Sequence, residues 1–331
     1  MTPQVACVGE TMLLLTPPAA TPLDHASTLE TGIAGAESNV ACGLAALGHR
    51  PAWLSRVGDD PFGRVVLRTL RERGVDVSGV HTDPERPTGL FAKDPDPEGS
   101  AVHYYRSGSA ASDMGPELAG HPLVRSARIV HLSGITPALS PRADALAESL
   151  LADPETTVSF DVNHRPRLWD AGAAAPRLLA LARLADVVLV GRDEAEELWG
   201  TSTAEEVREL LPGAGHLVVK DAEHGAPEFH GGDSEGPVDN AVHVPAPAVD
   251  VVEPVGAGDA FASGYLAALL RGLAAPARLR LGHLCAGAVL RVPGDLAPPP
   301  DGTVLEELLA APDEQWRERA TAAVAATTRR Q

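Results

Sequence analysis

Short apolar runs alternate along the chain with stretches in which Ala and Leu recur at helical spacing. The runs Val5–Val8, Pro51–Val57, Ile129–Leu132, Val158–Val162, Val187–Val190 and His216–Val219 read as strands. Between them, Glu37–Ala46, Gly63–Glu72, Pro141–Leu150, Pro176–Leu184, Asp193–Trp199 and Ala204–Leu211 read as helices. Strands separated by helices need right-handed crossovers. The pattern therefore predicts an α/β fold with a mostly parallel sheet covered on both faces. After residue 259 the pattern turns helical: Ala260–Leu270, then roughly Pro276–Arg291, with Pro298–Pro300 as a stiff connection before a helix-like tail from Val304.

Two segments break the rhythm, residues 10–34 and 80–107. Both read as strands and turns with no intervening helix. They suit a small accessory sheet able to act as a lid, or equally a pair of surface loops. Asp233–Asp239 is turn-rich and reads as loop.

Composition narrows the function. The 331 residues carry a formal charge of −18, and apolar residues make up 44% of the chain. Such an acidic surface argues against nucleic acid and anionic membranes as partners. An anionic ligand would need arginines placed locally. Three widely spaced cysteines (Cys7, Cys42, Cys285) form no zinc pattern and no disulfide framework. No basic segment followed by an apolar run opens the chain, so a soluble, cytoplasmic protein is expected.

The most informative stretch runs from Val255 to Leu270. Gly256 and Gly258 form a loop, Asp259 follows, and an apolar helix begins. Free N–H groups at a helix start favour an anion, and glycine allows close backbone approach. A carboxylate beside that site can accept a proton from a hydroxyl. Phosphoryl transfer from a nucleotide to an alcohol fits this arrangement. A plain N-cap and tight turn would use the same residues. Phe261 replaces the third glycine of a dinucleotide fingerprint. A Walker A loop is excluded, because the two lysines, Lys93 and Lys220, are each followed by Asp.

Four further clusters carry candidate chemistry. Gly35-Ala36-Glu37-Ser38-Asn39 enters a helix and can present N–H groups and the Asn39 amide to a hydroxylated ligand. Asp161-Val162-Asn163-His164-Arg165 leaves the carboxyl end of a strand, where ligands of open α/β sheets bind. There Arg165 suits phosphate or carboxylate. Tyr104-Tyr105-Arg106 suits an acidic sugar, a ring packing on carbon and the guanidinium on a carboxylate. Lys220 to Gly225 reads as a turn able to hold a nucleotide. Glu194 can reach a hydrated Mg²⁺, or serve only as a helix-dipole partner. The twelve histidines show no metal-ligand spacing.

Glu253-Pro-Val-Gly-Ala-Gly-Asp-Ala-Phe-Ala-Ser-Gly-Tyr resembles the C-terminal signature of the PfkB-type, ribokinase-like carbohydrate kinases. Gly35-Ala-Glu-Ser-Asn-Val-Ala, with Gly58-Asp-Asp-Pro-Phe-Gly, resembles their N-terminal signature. Within the family the likeness is greatest to the 2-keto-3-deoxygluconate kinase branch, through residues 103–110, 131–140 and 161–165. The resemblance implies a three-layer αβα ribokinase-like fold, one kinase domain over 1–331, with a lid from about 10–34 and 80–107. It implies ATP- and Mg²⁺-dependent phosphorylation of a sugar-acid terminal hydroxyl, leaves a monovalent cation open, and implies a homo-oligomer formed through the lid. Asp259 is then the base, and Gly256, Ala257 and Gly258 form the anion hole with Arg165. Substrate contacts are implied for Gly35, Asn39, Phe91, Tyr104, Arg106, Arg165 and Asp295. ATP is placed near Asn163, Arg165, Lys220, Gly225, Gly256, Gly258 and His283, and Mg²⁺ near Glu194 through water.

The chain departs from the family pattern in places. Phe91 replaces a usual tyrosine, Ala34 the first of two glycines, and Glu253 a usual Asp. Gly191 stands where the family has Asn, and Ala222 where it has glycine. Rival readings are a kinase of a neutral sugar such as fructose or ribose, a nucleoside kinase, and a non-catalytic sugar sensor.

Overall fold

A computed structural model describes residues 2–18, 21–95, 101–231 and 241–327. Its strands are β1 (Val5–Val8), β2 (Met12–Thr16), β3 (Glu30–Ala34), β4 (Pro51–Leu54), β5 (Arg56–Gly58), β6 (His81–Asp83), β7 (Leu90–Asp94), β8 (Ala101–Tyr105), β9 (Ile129–Ser133), β10 (Val158–Asp161), β11 (Val187–Gly191), β12 (His216–Lys220), β13 (Ala226–His230) and β14 (Val242–Val244). Its helices are α1 (Ala36–Ala46), α2 (Pro61–Glu72), α3 (Pro122–Arg125), α4 (Ile135–Ala138), α5 (Pro141–Leu151), α6 (Ala171–Ala182), α7 (Arg192–Trp199), α8 (Ala204–Leu210), α9 (Ala257–Leu270), α10 (Ala275–Val289), α11 (Gly302–Leu309) and α12 (Asp313–Thr327).

The main sheet has the order β14-β13-β12-β11-β10-β9-β1-β4. From β12 to β4 all neighbours run parallel, and β13 and β14 add an antiparallel edge. Strand residues alternate between two apolar clusters. Val5, Cys7, Val187 and Leu189 pack with α1, α9 and α10 on one face. Ala6, Val8, Val188 and Val190 pack with α5, α6 and α7 on the other. Burial on both faces explains why these strands read as unbroken apolar runs. The three-layer α/β expectation is met.

Several boundaries differ from the sequence reading. Pro51–Val57 is two strands: after β4 the chain turns at buried Ser55, and β5 pairs with β6 in a separate ribbon. The 80–107 segment therefore gives only β7 and β8 to the small sheet, whose order is β3-β2-β7-β8. Helix α6 starts earlier than Pro176, because Asp170 caps it by accepting from the Ala173 N–H. Proline is tolerated inside at the loss of one backbone hydrogen bond. The C-terminal tail is two helices interrupted around Pro312. Strands β13 and β14 went unread, since Pro227, Glu228 and His243 mask their apolar pattern. Asp233–Asp239 lies outside the described residues. No described helix is long and apolar enough to cross a membrane.

Candidate active site

Helix α9 begins at Gly256, which caps it with φ 85° and ψ −12°. Glycine reaches this left-handed conformation at little cost. A Cβ at this position would lie 2.8 Å from Asp295 Cα and 2.7 Å from its carbonyl oxygen. The loop thus needs glycine for both torsion and clearance. Among the described residues, the amides of Gly256, Gly258 and Asp259 have no acceptor, and Ala257 N makes one long contact of 3.4 Å to the Pro254 carbonyl. Free donors and the positive end of the helix dipole converge here.

Asp259 stands in the first turn, 9% exposed. The Asn39 Nδ2 donates to its Oδ2 at 2.9 Å. Burial pushes the Asp259 pKa up to about 7, against the Asn39 hydrogen bond and the Arg165 charge; Asp161 and Glu37 add to the rise. A carboxyl poised near neutrality is suited to accepting a proton at physiological pH. Asn39 comes from α1, whose amino end is Gly35. A Cβ on Gly35 would stand 2.2 Å from the Glu10 carbonyl oxygen, so this glycine lets α1 seat against the chain after β1. The Asn39 amide, expected to face a ligand hydroxyl, donates one N–H to Asp259.

One cavity lies beside Arg165, whose charge acts on Asp259, and another opens at the helix start. The first, about 670 Å³, is lined by Tyr104, Arg106, Arg165 and Arg167 among others. Arg165 is exposed there and, among the described residues, its side chain donates only to the His164 carbonyl, at 3.0 Å. Its charge reaches Asp259, Glu194 and Asp295. Arg106 is placed differently from expectation. Its Nε donates to the buried Glu10 at 2.7 Å and its Nη2 also pairs with that carboxylate. Ser109 Oγ completes the group by donating to Glu10 at 2.6 Å. Arg106 therefore presents a charge already largely offset. Phe91 is buried with Met12, Leu14 and Ala34 and lines neither cavity. Its ring supports that of Tyr104, with centroids 5.5 Å apart.

The second cavity, about 370 Å³, is lined by Lys220, Gly225, Ala257, Gly258, Phe261 and His283 among others. Lys220 Nζ donates to both Asp161 oxygens, at 3.0 and 2.8 Å. Burial works against its charge, but Asp161 and Glu194 outweigh it and hold its pKa above the usual lysine value. Lys220 faces the helix start, since a Cβ on Gly258 would lie 3.5 Å from its Nζ. Burial lowers His283 to about 4, so the ring is neutral and its Nε2 donates to the Val244 carbonyl at 3.0 Å. Gly225 (φ 119°) has the Val244 carbonyl 2.2 Å from where a Cβ would sit.

Asn163 (φ 38°) and Ala222 (φ 42°) are the non-glycine residues with positive φ among the described residues. They follow β10 and β12, at the carboxyl ends of the parallel strands, and such strain collects at functional sites. Ala222 replaces the family's glycine yet keeps a glycine-like torsion. Ala222→Gly is therefore expected to raise stability by about 0.5–1 kcal/mol, read as a small rise in Tm, with turnover unchanged.

Glu194 accepts from Gly191 N and His164 N, both at 2.8 Å, and so satisfies the N-cap amide of α7. Burial raises its pKa against the pull of Lys220. Each oxygen keeps a lone pair, so the side chain fits a hydrated Mg²⁺, which commonly retains its waters and takes few carboxylates.

Some features escaped the sequence reading. Glu37 is fully buried; its Oε1 accepts from Ser133 N, Ser133 Oγ and Thr136 Oγ1. Lys93, noted only as lacking a following Ser or Thr, touches Glu253 and Asp295. Pairing across β12 and β13 brings His216, Glu228 and His230 together, which linear spacing could not show. Arg278 Nη2 already takes Glu228 Oε1 at 2.5 Å, and Tyr265 OH donates to it at 2.7 Å. That cluster is an internal ion network with a guanidinium where a metal would stand.

Comparisons with known proteins bear on the family and the fold. A family model described as pfkB family carbohydrate kinase matches residues 2–301. The chain is 39% identical over 298 residues to 2-dehydro-3-deoxygluconokinase of Bacillus subtilis (strain 168), covering 87% of this chain and 89% of that one. It is 36% identical over 316 residues to 2-dehydro-3-deoxygluconokinase of Thermoproteus tenax, covering 93% and 94%. The crystal structure of a PfkB protein from Polaromonas sp. JS666 superposes with a TM-score of 0.79 at 36% identity, covering 94% of this chain and all of that one. A match of this extent over both signatures and the fold they occupy places the chain in the pfkB family of carbohydrate kinases.

Proposed function

We propose that the protein transfers the γ-phosphoryl group of ATP to the terminal hydroxyl of 2-keto-3-deoxygluconate, also written 2-dehydro-3-deoxygluconate, giving the 6-phosphate. One observation carries this reading: Asp259, held by Asn39 at the amino end of α9, has a pKa of about 7 beside free loop amides. The names of the relatives supply the substrate.

The sugar lies in the 670 Å³ cavity and ATP in the 370 Å³ cavity. Asp259 accepts the hydroxyl proton as that oxygen bonds to the γ-phosphorus and the bond to ADP breaks. The amides of Gly256 to Asp259 and the Lys220 ammonium hold the phosphoryl oxygens. Arg165 takes the sugar carboxylate, with Tyr104 packing on the carbon skeleton. Asp295 and Gly35 border the sugar, and Asn163, Gly225 and His283 border the nucleotide. Glu194 would hold a hydrated Mg²⁺, which would supply charge compensation for the ATP phosphates. The small sheet serves as a lid, and exposed Tyr105 on β8 offers a second copy of the chain a surface. A cytoplasmic setting suits a kinase drawing on ATP.

The Glu10–Arg106 pair favours a second reading, a kinase of a neutral sugar, because one of the two arginines expected for a carboxylate is already matched. ATP consumption measured over a panel of sugar acids, fructose, ribose and nucleosides decides. The expected result is a kcat/KM for 2-keto-3-deoxygluconate at least a hundredfold above the neutral compounds. Preference for fructose or ribose would replace the first reading with the second. Arg165→Ala should raise KM for the acid by about 10- to 100-fold, the scale of one lost charge-assisted interaction, and leave KM for ATP nearly unchanged.

A further inference from the structure

Lys93 sits on β7 in the small sheet, yet its ammonium points away from that sheet's own partners. It lies 3.4 Å from Glu253 Oε2 and 3.8 Å from Asp295 Oδ1. Lysine is rare here, with two in 331 residues. This one is 9% exposed. Its two partners flank the glycine loop. Glu253 precedes Gly256 by three residues, and its Oε1 accepts from Val255 N at 3.3 Å. The Asp295 backbone is the wall against which Gly256 packs. Among the described residues Asp295 Oδ1 is buried without a hydrogen-bond partner, and the Lys93 ammonium faces it at 3.8 Å.

Two carboxylates beside an anion site would repel the phosphates it must hold. They would also repel each other, and the loop lies between them. A single buried cation answers both problems. We propose that Lys93 is a positioning residue for phosphoryl transfer. Its ammonium clamps Glu253 and Asp295 on either side of Gly256 and so fixes the loop amides where the transferring group needs them. The sheet that carries Lys93 is thereby tied to the loop. Misplacing preorganised donors affects the transition state more than ground-state binding. The proposal rests on the kinase reading above.

The test compares Lys93→Ala, Lys93→Arg and Glu253→Gln with the unsubstituted enzyme on 2-keto-3-deoxygluconate and ATP. Lys93→Ala should lower kcat about 30- to 100-fold with KM for ATP changed less than about threefold. Propylammonium, which replaces the deleted part of the side chain, should restore part of that loss in a saturable way. Lys93→Arg should keep kcat within about fivefold. A Lys93→Ala enzyme with unchanged kcat, or one as indifferent to propylammonium as the unsubstituted enzyme, overturns the proposal. Should Lys93→Ala fail to fold, Glu253→Gln decides. A severalfold fall in kcat at constant KM for ATP supports the clamp, and no fall removes it. Absence of turnover by the unsubstituted enzyme on any sugar would instead sink the kinase reading itself.

Discussion

Asp259→Asn is expected to lower kcat by about 10²–10⁴-fold, the usual worth of a general base, while ATP still binds. Asn keeps the shape of the side chain and can still accept from Asn39 Nδ2. It cannot take a proton from the sugar hydroxyl. The same change should raise stability at alkaline pH. The folded carboxyl has a pKa of about 7 against an ordinary 3.8. Between those values the folded chain holds a proton that the unfolded chain has released. The stability linked to this group is therefore complete below about pH 3.8 and is lost as pH rises through about 7. At pH 8 a charged carboxylate is buried, and Asn relieves that cost. Melting curves should place Asp259→Asn above the unsubstituted enzyme at pH 8, with the gap narrowing toward pH 4. Near-normal turnover, or a variant melting below the parent at pH 8, would count against the base assignment.

Gly256→Ala carries the second large effect. A non-glycine residue at φ 85° costs about 1–2 kcal/mol in torsion alone. The new Cβ would also press on the Asp295 backbone, which cannot swing aside as a side chain can. A total loss of about 2–4 kcal/mol is expected, together with a fall in kcat of about a hundredfold or more as the amides move off target. Gly272, at the other end of α9, is the control. It has φ 70° with nothing within 4 Å of a built Cβ. Gly272→Ala should cost about 1 kcal/mol and leave kcat alone. Equal kinetic effects from the two variants would show that torsion, not loop placement, is what matters.

The parts of this site that were legible in sequence are local ones. A glycine pair before an acid and an apolar helix announces its own geometry, and apolar runs with polar ends mark where parallel strands stop. The loops after β10 and β12 were found that way. What sequence withheld depends on distant partners or on torsion. Glu10 and Arg106 are 96 positions apart, and nothing in Tyr-Tyr-Arg shows that its guanidinium meets a buried carboxylate. Lys93 and Glu253 are 160 apart, and only the docking of β7 against the loop joins them. Ala222 looked like a lost glycine, yet its backbone keeps the glycine-like turn. Phe91 looked like a substrate contact, and its burial in the small apolar cluster gives it a supporting place instead.

The pH dependence of kcat/KM tests the central claim most directly, because it reads the ionisation of the proposed base in the free enzyme. Turnover of 2-keto-3-deoxygluconate should rise with pH along an acid limb centred near 7, and the small residual rate of Asp259→Asn should lack that limb. An acid limb that persists unchanged in Asp259→Asn would contradict the account.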